Sequence, residues 1–165
     1  LRSYAETCGS LTDFISDVAE KRLEAARELG MIPVNPLKED LEAVVKAATD
    51  GEGCDVFFEC SGAAAAAVQM TDVTRVRGKI CMVSVHKQPH EVNLRDVNFK
   101  EQTLVGTRVY TKDEFGQAVE LTQRIPDELE LLISHVLPLS DCANVFDMIH
   151  DPQVPTVKVM VDCRR

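Results

Sequence analysis

The sequence predicts a parallel, doubly wound α/β sheet, on three observations. Short apolar runs alternate with stretches of helical period, and glycine, proline or polar turns mark the boundaries. The runs CDVFFE (54–59) and KICMVSV (79–85) are nearly continuously apolar, as are strands buried on both faces of a parallel sheet. The chain has 165 residues, 45% hydrophobic and 27% charged, enough for one soluble domain with a sizeable core.

Taken in order, LRSYAETC (1–8) reads as the end of a helix closed by Gly9. TDFIS (12–16) is a short strand. DVAEKRLEAARELG (17–30) is a helix, with Asp17 near its N-cap, Leu23, Ala26 and Leu29 on one face and Gly30 as its stop. MIPVN is a strand ended by Pro36. LKEDLEAVVKAATDG (37–51) is an amphipathic helix with Leu37, Leu41, Val44, Val45 and Ala48 on its apolar side. After strand 54–59, Ser61 and Gly62 turn the chain into AAAAAVQMTDVTRV (63–76), whose small residues allow close approach to a sheet. Gly78 reads as the cap of that helix. HKQPHEVNL (86–94) is a loop, TLVGTRVY (103–110) a strand and KDEFGQAVELTQR (112–124) a helix. Residues 126–152 hold one short strand and one helix, and TVKVMVD (156–162) is a terminal strand.

The net charge of −9, from 27 acidic and 18 scattered basic residues, repels phosphate backbones and argues against nucleic acid. No apolar run is long enough to span a bilayer, and no signal peptide is visible. The expected location is cytoplasmic. The first residue is Leu rather than Met, as in a fragment or processed product. The six cysteines form no CxxC and several fall in strand-like runs, so they read as reduced, buried thiols. His86 and His90 are four apart, but Pro89 makes their segment a loop, so the spacing carries no metal meaning and no metal ligand is assigned. There is no GxSxG nucleophile motif.

The ordered segments SDVAEKRLEAARELG, GCDVFFECSG, GKICMVSVH, TLVGTRVYTKDEFGQAVEL and SHVLPLSDCANVFDMIHDPQVPTVKVMVD together resemble zinc-type medium-chain alcohol and polyol dehydrogenases, the sorbitol, threonine and butanediol branch above all. The resemblance covers residues 1–163 and rests on the set and its order; no single segment is specific. It implies a Rossmann-like sheet that lacks its first strand and glycine-rich loop. It also implies a partial dinucleotide-binding domain at 1–125 and a C-terminal segment at 126–165 that returns to a catalytic domain. The implied activity is hydride transfer between a secondary alcohol and NAD, with NADP the lesser alternative. The zinc ligands (a Cys, a His and an acid) would precede residue 1, so no catalytic residue is expected here.

The cofactor residues are carried over from the same resemblance. A carboxylate after the second Rossmann strand accepts bonds from both adenosine ribose hydroxyls and repels a 2′-phosphate. Asp17 takes that place, and Arg22 matches a basic position near the same ribose. Read by itself, Asp17 is a plain helix N-cap. Cys60, Ser61 and Gly62 border the cleft at the end of the fourth strand. Val83, Ser84 and Val85 end the next strand, where family backbone meets the nicotinamide carboxamide. Thr107 and Arg108 occupy a similar place one strand later, and Lys158 resembles a basic residue that reaches the pyrophosphate.

In the strand order 3-2-1-4-5-6, absence of the first strand exposes two edges and removes the helix N-terminus that binds pyrophosphate. The chain by itself is therefore expected to bind NAD poorly and to be inactive. The partners expected are a small alcohol or polyol and a second copy, paired through the strand at 103–110. Two other functions fit the same residues: a non-catalytic Rossmann-like binding or dimerisation module, and a zinc-free reductase of the same superfamily.

Overall fold

The computed structural model describes residues 12–151 and 153–164. The readings of LRSYAETC, Gly9 and Cys8 lie outside the described residues. The chain divides into two compact units, residues 1–35 with 111–165, and residues 36–110. Among the described residues every strand pair is parallel, and the strands form three sheets.

In the first unit, β1 (Phe14–Ser16) pairs with β2 (Ile32–Val34) across helix α1 (Glu20–Glu28). Leu23, Ala25 and Ala26 of α1 are buried, as are Leu29, Met31 and Val34 that follow it. Leu23 and Ala26 are one turn apart, so one stripe of the helix supplies the core. Gly30, at φ +76°, ends the helix in the left-handed conformation that a side chain disfavours. Pro33 is tolerated because Ile32 N–H donates to Asp13 O at 2.8 Å, which turns the alternate nitrogen to the other edge. Helix α5 (Lys112–Arg124) follows a capping box in which Thr111 and Glu114 exchange side-chain bonds to each other's backbone N–H. Pro126 starts α6 (Pro126–Glu130), where its missing N–H costs nothing. Strand β6 (Ile133–Pro138) pairs with β7 (Lys158–Asp162), and the 3₁₀ turn Leu139–Asn144 and helix α7 (Val145–His150) connect them.

The second unit opens with α2 (Leu41–Ala47), capped by Asp40 Oδ1, which accepts from Glu42 N–H at 2.9 Å and Ala43 N–H at 3.3 Å. Strands β3 (Cys54–Glu59), β4 (Thr74–Met82) and β5 (Thr103–Gly106) lie in that spatial order, with α3 (Ala64–Val73) and α4 (Leu94–Phe99) in the connections. The core forms where Leu41 and Val45 of α2, Ala67, Met70 and Val73 of α3, and Ile80 of β4 are all buried. Two side chains just before β5 finish the end of α3. Gln102 Nε2 donates to Thr71 O at 2.9 Å and Thr74 O at 2.8 Å, and Lys100 Nζ donates to Thr71 O at 2.8 Å. They satisfy carbonyls that the helix leaves without partners.

Several sequence expectations change. Leu37 is not part of α2 and is 79% exposed. Gly78 does not cap a helix. It lies inside β4, where a Cβ would stand 2.5 Å from Thr74 Cγ2, so close approach selects the glycine. Leu94, the last residue of the expected loop, begins α4 (Leu94–Phe99), and only 103–106 of the run 103–110 pair as a strand. Strand β3 is not buried on both faces: Val56 and Phe58 are exposed on one face, while Glu59 is buried on the other. Among the described residues, β1 pairs only with β2 and β3 only with β4, so each keeps an unpaired edge. Cys60, Cys142 and Cys163 are exposed and Cys54 and Cys81 half-buried, all as free thiols. No helix among the described residues is long and apolar enough to cross a membrane.

Gly51 and Gly53 separate two effects. Both have positive φ, +88° and +99°, but a Cβ at Gly51 meets nothing within 4 Å, whereas one at Gly53 would lie 2.6 Å from Val73 O. Both alanine variants carry the conformational penalty, and only Gly53→Ala adds a backbone clash. Urea unfolding should show Gly53→Ala less stable than Gly51→Ala by about 2 kcal/mol. Equal midpoints would contradict the close approach of β3 to the end of α3.

Candidate functional site

The parallel strands β3, β4 and β5 end on the same side of their sheet, and a rim of turns forms there. Glu59 O, at the end of β3, accepts from Val83 N–H at 2.9 Å and Ser84 N–H at 3.0 Å. Gly62, at φ +69°, lies against the next turn: a Cβ there would be 3.5 Å from Val85 O and 3.7 Å from Ser84 Cβ. Thr107 N–H donates to Met82 O at 3.0 Å, which continues the β4–β5 ladder into the rim. Cys60, Ser61, Gly62, Val83, Ser84, Val85 and Thr107 therefore gather at one sheet end. Arg108 follows Thr107 and is exposed.

The Glu59 side chain is fully buried and organises the rim. Its Oε1 accepts from Ser61 N–H at 2.9 Å, Ser61 O–H at 2.6 Å and Gly62 N–H at 2.9 Å. Its Oε2 accepts from the Ser84 hydroxyl, and His86 Nε2 lies 3.1 Å from the same oxygen. Burial pushes the carboxyl pKa up. The Ser61 and Ser84 hydroxyls, with the Gly62 and Ser61 N–H groups, outweigh it and hold the pKa at about 2. His86 Nε2 is also 3.1 Å from Ser84 Oγ, and the His90 ring stands edge-on with centroids 5.1 Å apart. Among the described residues, His86 Nδ1 is buried without a hydrogen-bond partner.

Serine, histidine and glutamate meet here, but not as a nucleophilic triad. In a triad the imidazole bridges serine and acid through its two nitrogens. Here the Ser84 hydroxyl and His86 Nε2 both face Glu59 Oε2. A carboxylate with a pKa of about 2 is too weak a base to activate the serine. Among the described residues, no group of three His, Cys, Asp or Glu side chains could hold a metal ion. These residues do not fit a catalytic zinc.

The first unit holds the other expected residues. Asp17 stands just past β1, where its N–H donates to Val34 O at 3.2 Å. Its Oδ1 accepts from Ala19 N–H at 2.8 Å, and its Oδ2 from Arg22 Nη1 at 3.2 Å. Asp17 thus precedes the cap position, which Ala19 takes without a side-chain bond. A carboxylate offers about four lone-pair sites, so two remain for donors from a ligand. Lys158 opens β7 with an exposed residue, and its carbonyl accepts from Ser134 Oγ at 3.1 Å. His135 Nδ1 lies 3.0 Å from Ser134 Oγ and His150 Nδ1 2.6 Å from Phe146 O, so local backbone and hydroxyl groups occupy both rings.

Sequence reasoning missed Glu59 and gave His86 no role. The signal for Glu59 was present: an acid closing an apolar strand, one residue before Ser61-Gly62. Its burial was not visible, because one of the donors that make it tolerable, Ser84, is 25 residues away in the chain.

Residues 3–124 match the family described as zinc-binding dehydrogenase. A 2-dehydro-3-deoxy-L-galactonate 5-dehydrogenase of Pseudoalteromonas atlantica is 38% identical over 90% of this chain and 43% of its own length. An L-threonine 3-dehydrogenase of Escherichia fergusonii is 32% identical over 92% of this chain and 45% of its own length. Among solved structures, the 2R,3R-butanediol dehydrogenase of Bacillus subtilis superposes with a TM-score of 0.84 at 26% identity, covering 95% of this chain and 45% of that one. The chain thus spans less than half the length of these relatives.

Glu59 makes stability depend on acid. Its pKa falls from an ordinary 4.5 to about 2 on folding, so its contribution is complete above pH 4.5 and is lost as pH falls towards 2. Glu59→Gln lacks that dependence. The stability difference between wild type and Glu59→Gln should narrow by about 2 kcal/mol between roughly pH 5 and pH 3, read from urea midpoints. A constant difference would show that the carboxylate gains nothing from its four donors.

Proposed function

The chain belongs to the zinc-binding dehydrogenase family, and on that premise we propose that it is the dinucleotide-binding part of an oxidoreductase that exchanges hydride between a small alcohol or polyol and NAD. The observation that carries the reading is Asp17, an acid at the C-terminal end of a parallel strand with lone pairs left for two ribose hydroxyls. The same charge disfavours a 2′-phosphate, so NAD is preferred over NADP. Arg22 neutralises part of that charge from 3.2 Å and tempers the preference.

The remaining assignments follow the carry-over made from the sequence. Cys60, Ser61 and Gly62 border the adenosine side, and Val83, Ser84 and Val85 meet the nicotinamide. Thr107 and Arg108 lie one strand later, and Lys158 serves the pyrophosphate. Bound NAD would supply the hydride acceptor; this chain's residues bind and orient it. The relatives are named for small hydroxyl-bearing molecules, which supports an alcohol or polyol substrate. Residues 1–125 act as the cofactor domain, and 126–165 return to a catalytic domain. The enzyme is cytoplasmic.

A chimera tests the reaction. The matched part of the Pseudoalteromonas enzyme is replaced by this chain, folding is checked by circular dichroism, and NADH formation is followed with that enzyme's own substrate. The chimera should reduce NAD. Asp17→Ala should raise KM for NAD about tenfold or more with little change in kcat. A folded chimera that makes no NADH would count against the proposal.

The exposed edge of β5 supports a homodimer. Leu104 and Val105 are 38% and 48% exposed, and β5 pairs only with β4 among the described residues. Unpaired backbone with apolar side chains favours a mate. Sedimentation should show concentration-dependent dimers for the wild type and monomers for Val105→Lys. A dimer that survives the lysine would rule out this edge.

A further inference from the structure

We propose that Glu59 is a positioning residue for the rim, tying the turn after β3 to the turn after β4, and that it holds His86 as the tautomer protonated on Nε2. The proposal rests on the cofactor reading only for what the rim meets.

The tautomer follows from donor counting. The Ser84 hydroxyl has one proton and donates it to Glu59 Oε2, so it presents lone pairs elsewhere. His86 Nε2 lies 3.1 Å from Glu59 Oε2 and 3.1 Å from Ser84 Oγ. Both neighbours are acceptors, so Nε2 must carry the proton. A lone pair there would face a carboxylate oxygen. The other nitrogen is then bare, in keeping with a buried Nδ1 that has no hydrogen-bond partner among the described residues.

The positioning follows from the same atom list. Oε1 holds the Ser61 and Gly62 amides, and Oε2 holds Ser84 and His86. One rigid carboxylate therefore sets the spacing between two turns. The backbone bonds from Val83 and Ser84 to Glu59 O reinforce it. Charged acceptors make the stronger hydrogen bonds, so a neutral isostere would loosen the rim without emptying the space.

Substitution separates the roles. In Glu59→Gln the amide oxygen can keep Ser61 and Gly62, while its NH₂ faces Ser84 and His86. A donor there forces His86 to accept at Nε2 and to carry its proton on Nδ1. In Ser84→Ala the carboxylate remains and Nε2 keeps its proton. Nitrogen-15 NMR of His86 in the 165-residue chain at roughly pH 8 reads the tautomer directly. The expected results are Nε2–H in wild type and Ser84→Ala, and Nδ1–H in Glu59→Gln. Amide exchange at Ser61 and Gly62 should be about tenfold faster in Glu59→Gln. Nδ1–H in wild type, Nε2–H in Glu59→Gln, or unchanged amide exchange would each overturn the proposal. NADH added to the folded chimera should shift the Ser61, Gly62 and Ser84 amides, and shift them less when the chimera carries Glu59→Gln. With the expected tautomers and exchange, rim amides unmoved by NADH in the folded chimera would leave the positioning role standing and count against the cofactor reading.

Discussion

One buried carboxylate carries the local order of the second unit. Glu59 is the last residue of β3, and a bare charge there would be costly. Four donors make it tolerable: two backbone N–H groups and one hydroxyl from the turn after β3, and the hydroxyl of Ser84 from the turn after β4. The carboxylate is stable only while both turns stay in place. The turns in turn have their polar groups satisfied only while the carboxylate is there. This mutual dependence is characteristic of buried polar networks, which specify one arrangement when every member is paired. The exception is His86 Nδ1, unpartnered at the edge of the network.

The rest of the unit sets up this arrangement. Ile80 and Met70 seal one face of the sheet with α3, and this fixes β4 beside β3. Gln102 and Lys100 close the end of α3 just before β5, so one short segment both caps a helix and starts the outer strand. Gly53 and Gly78 let backbones approach where a Cβ would collide. Phe58, 63% exposed, lies on the face of β3 opposite the buried Glu59.

Family membership gives these features a context. A dehydrogenase cofactor domain needs a sheet end with ordered turns and an acid that prefers a ribose diol to a phosphate. The second unit has a sheet end with ordered turns, and Asp17 is the acid proposed above. The Asp17–Arg22 pair is largely a surface interaction, since the Arg22 side chain is 52% exposed. Such pairs contribute little to stability. Its interest lies in how much negative charge it leaves for a ligand.

Much of this was legible in the sequence. The alternation of apolar runs with helical stripes determined the α/β class, the parallel strands and most elements, because both periodicities follow from local geometry. The stretch DFISDVAEKRLEAARELG announced β1, α1 and the half-buried acid between them. Several things depended on the tertiary structure. Gly78 became a strand residue because Thr74 crowds it, and α4 formed within a stretch of mixed polarity. The separate sheets reflect which strand edges find partners among the described residues. Above all, Glu59 looked like any acid at a strand end. Its burial, its low pKa and its link to His86 need Ser84, 25 residues away, as well as the nearby Ser61 and Gly62, and no local pattern records that a distant hydroxyl will reach its second oxygen.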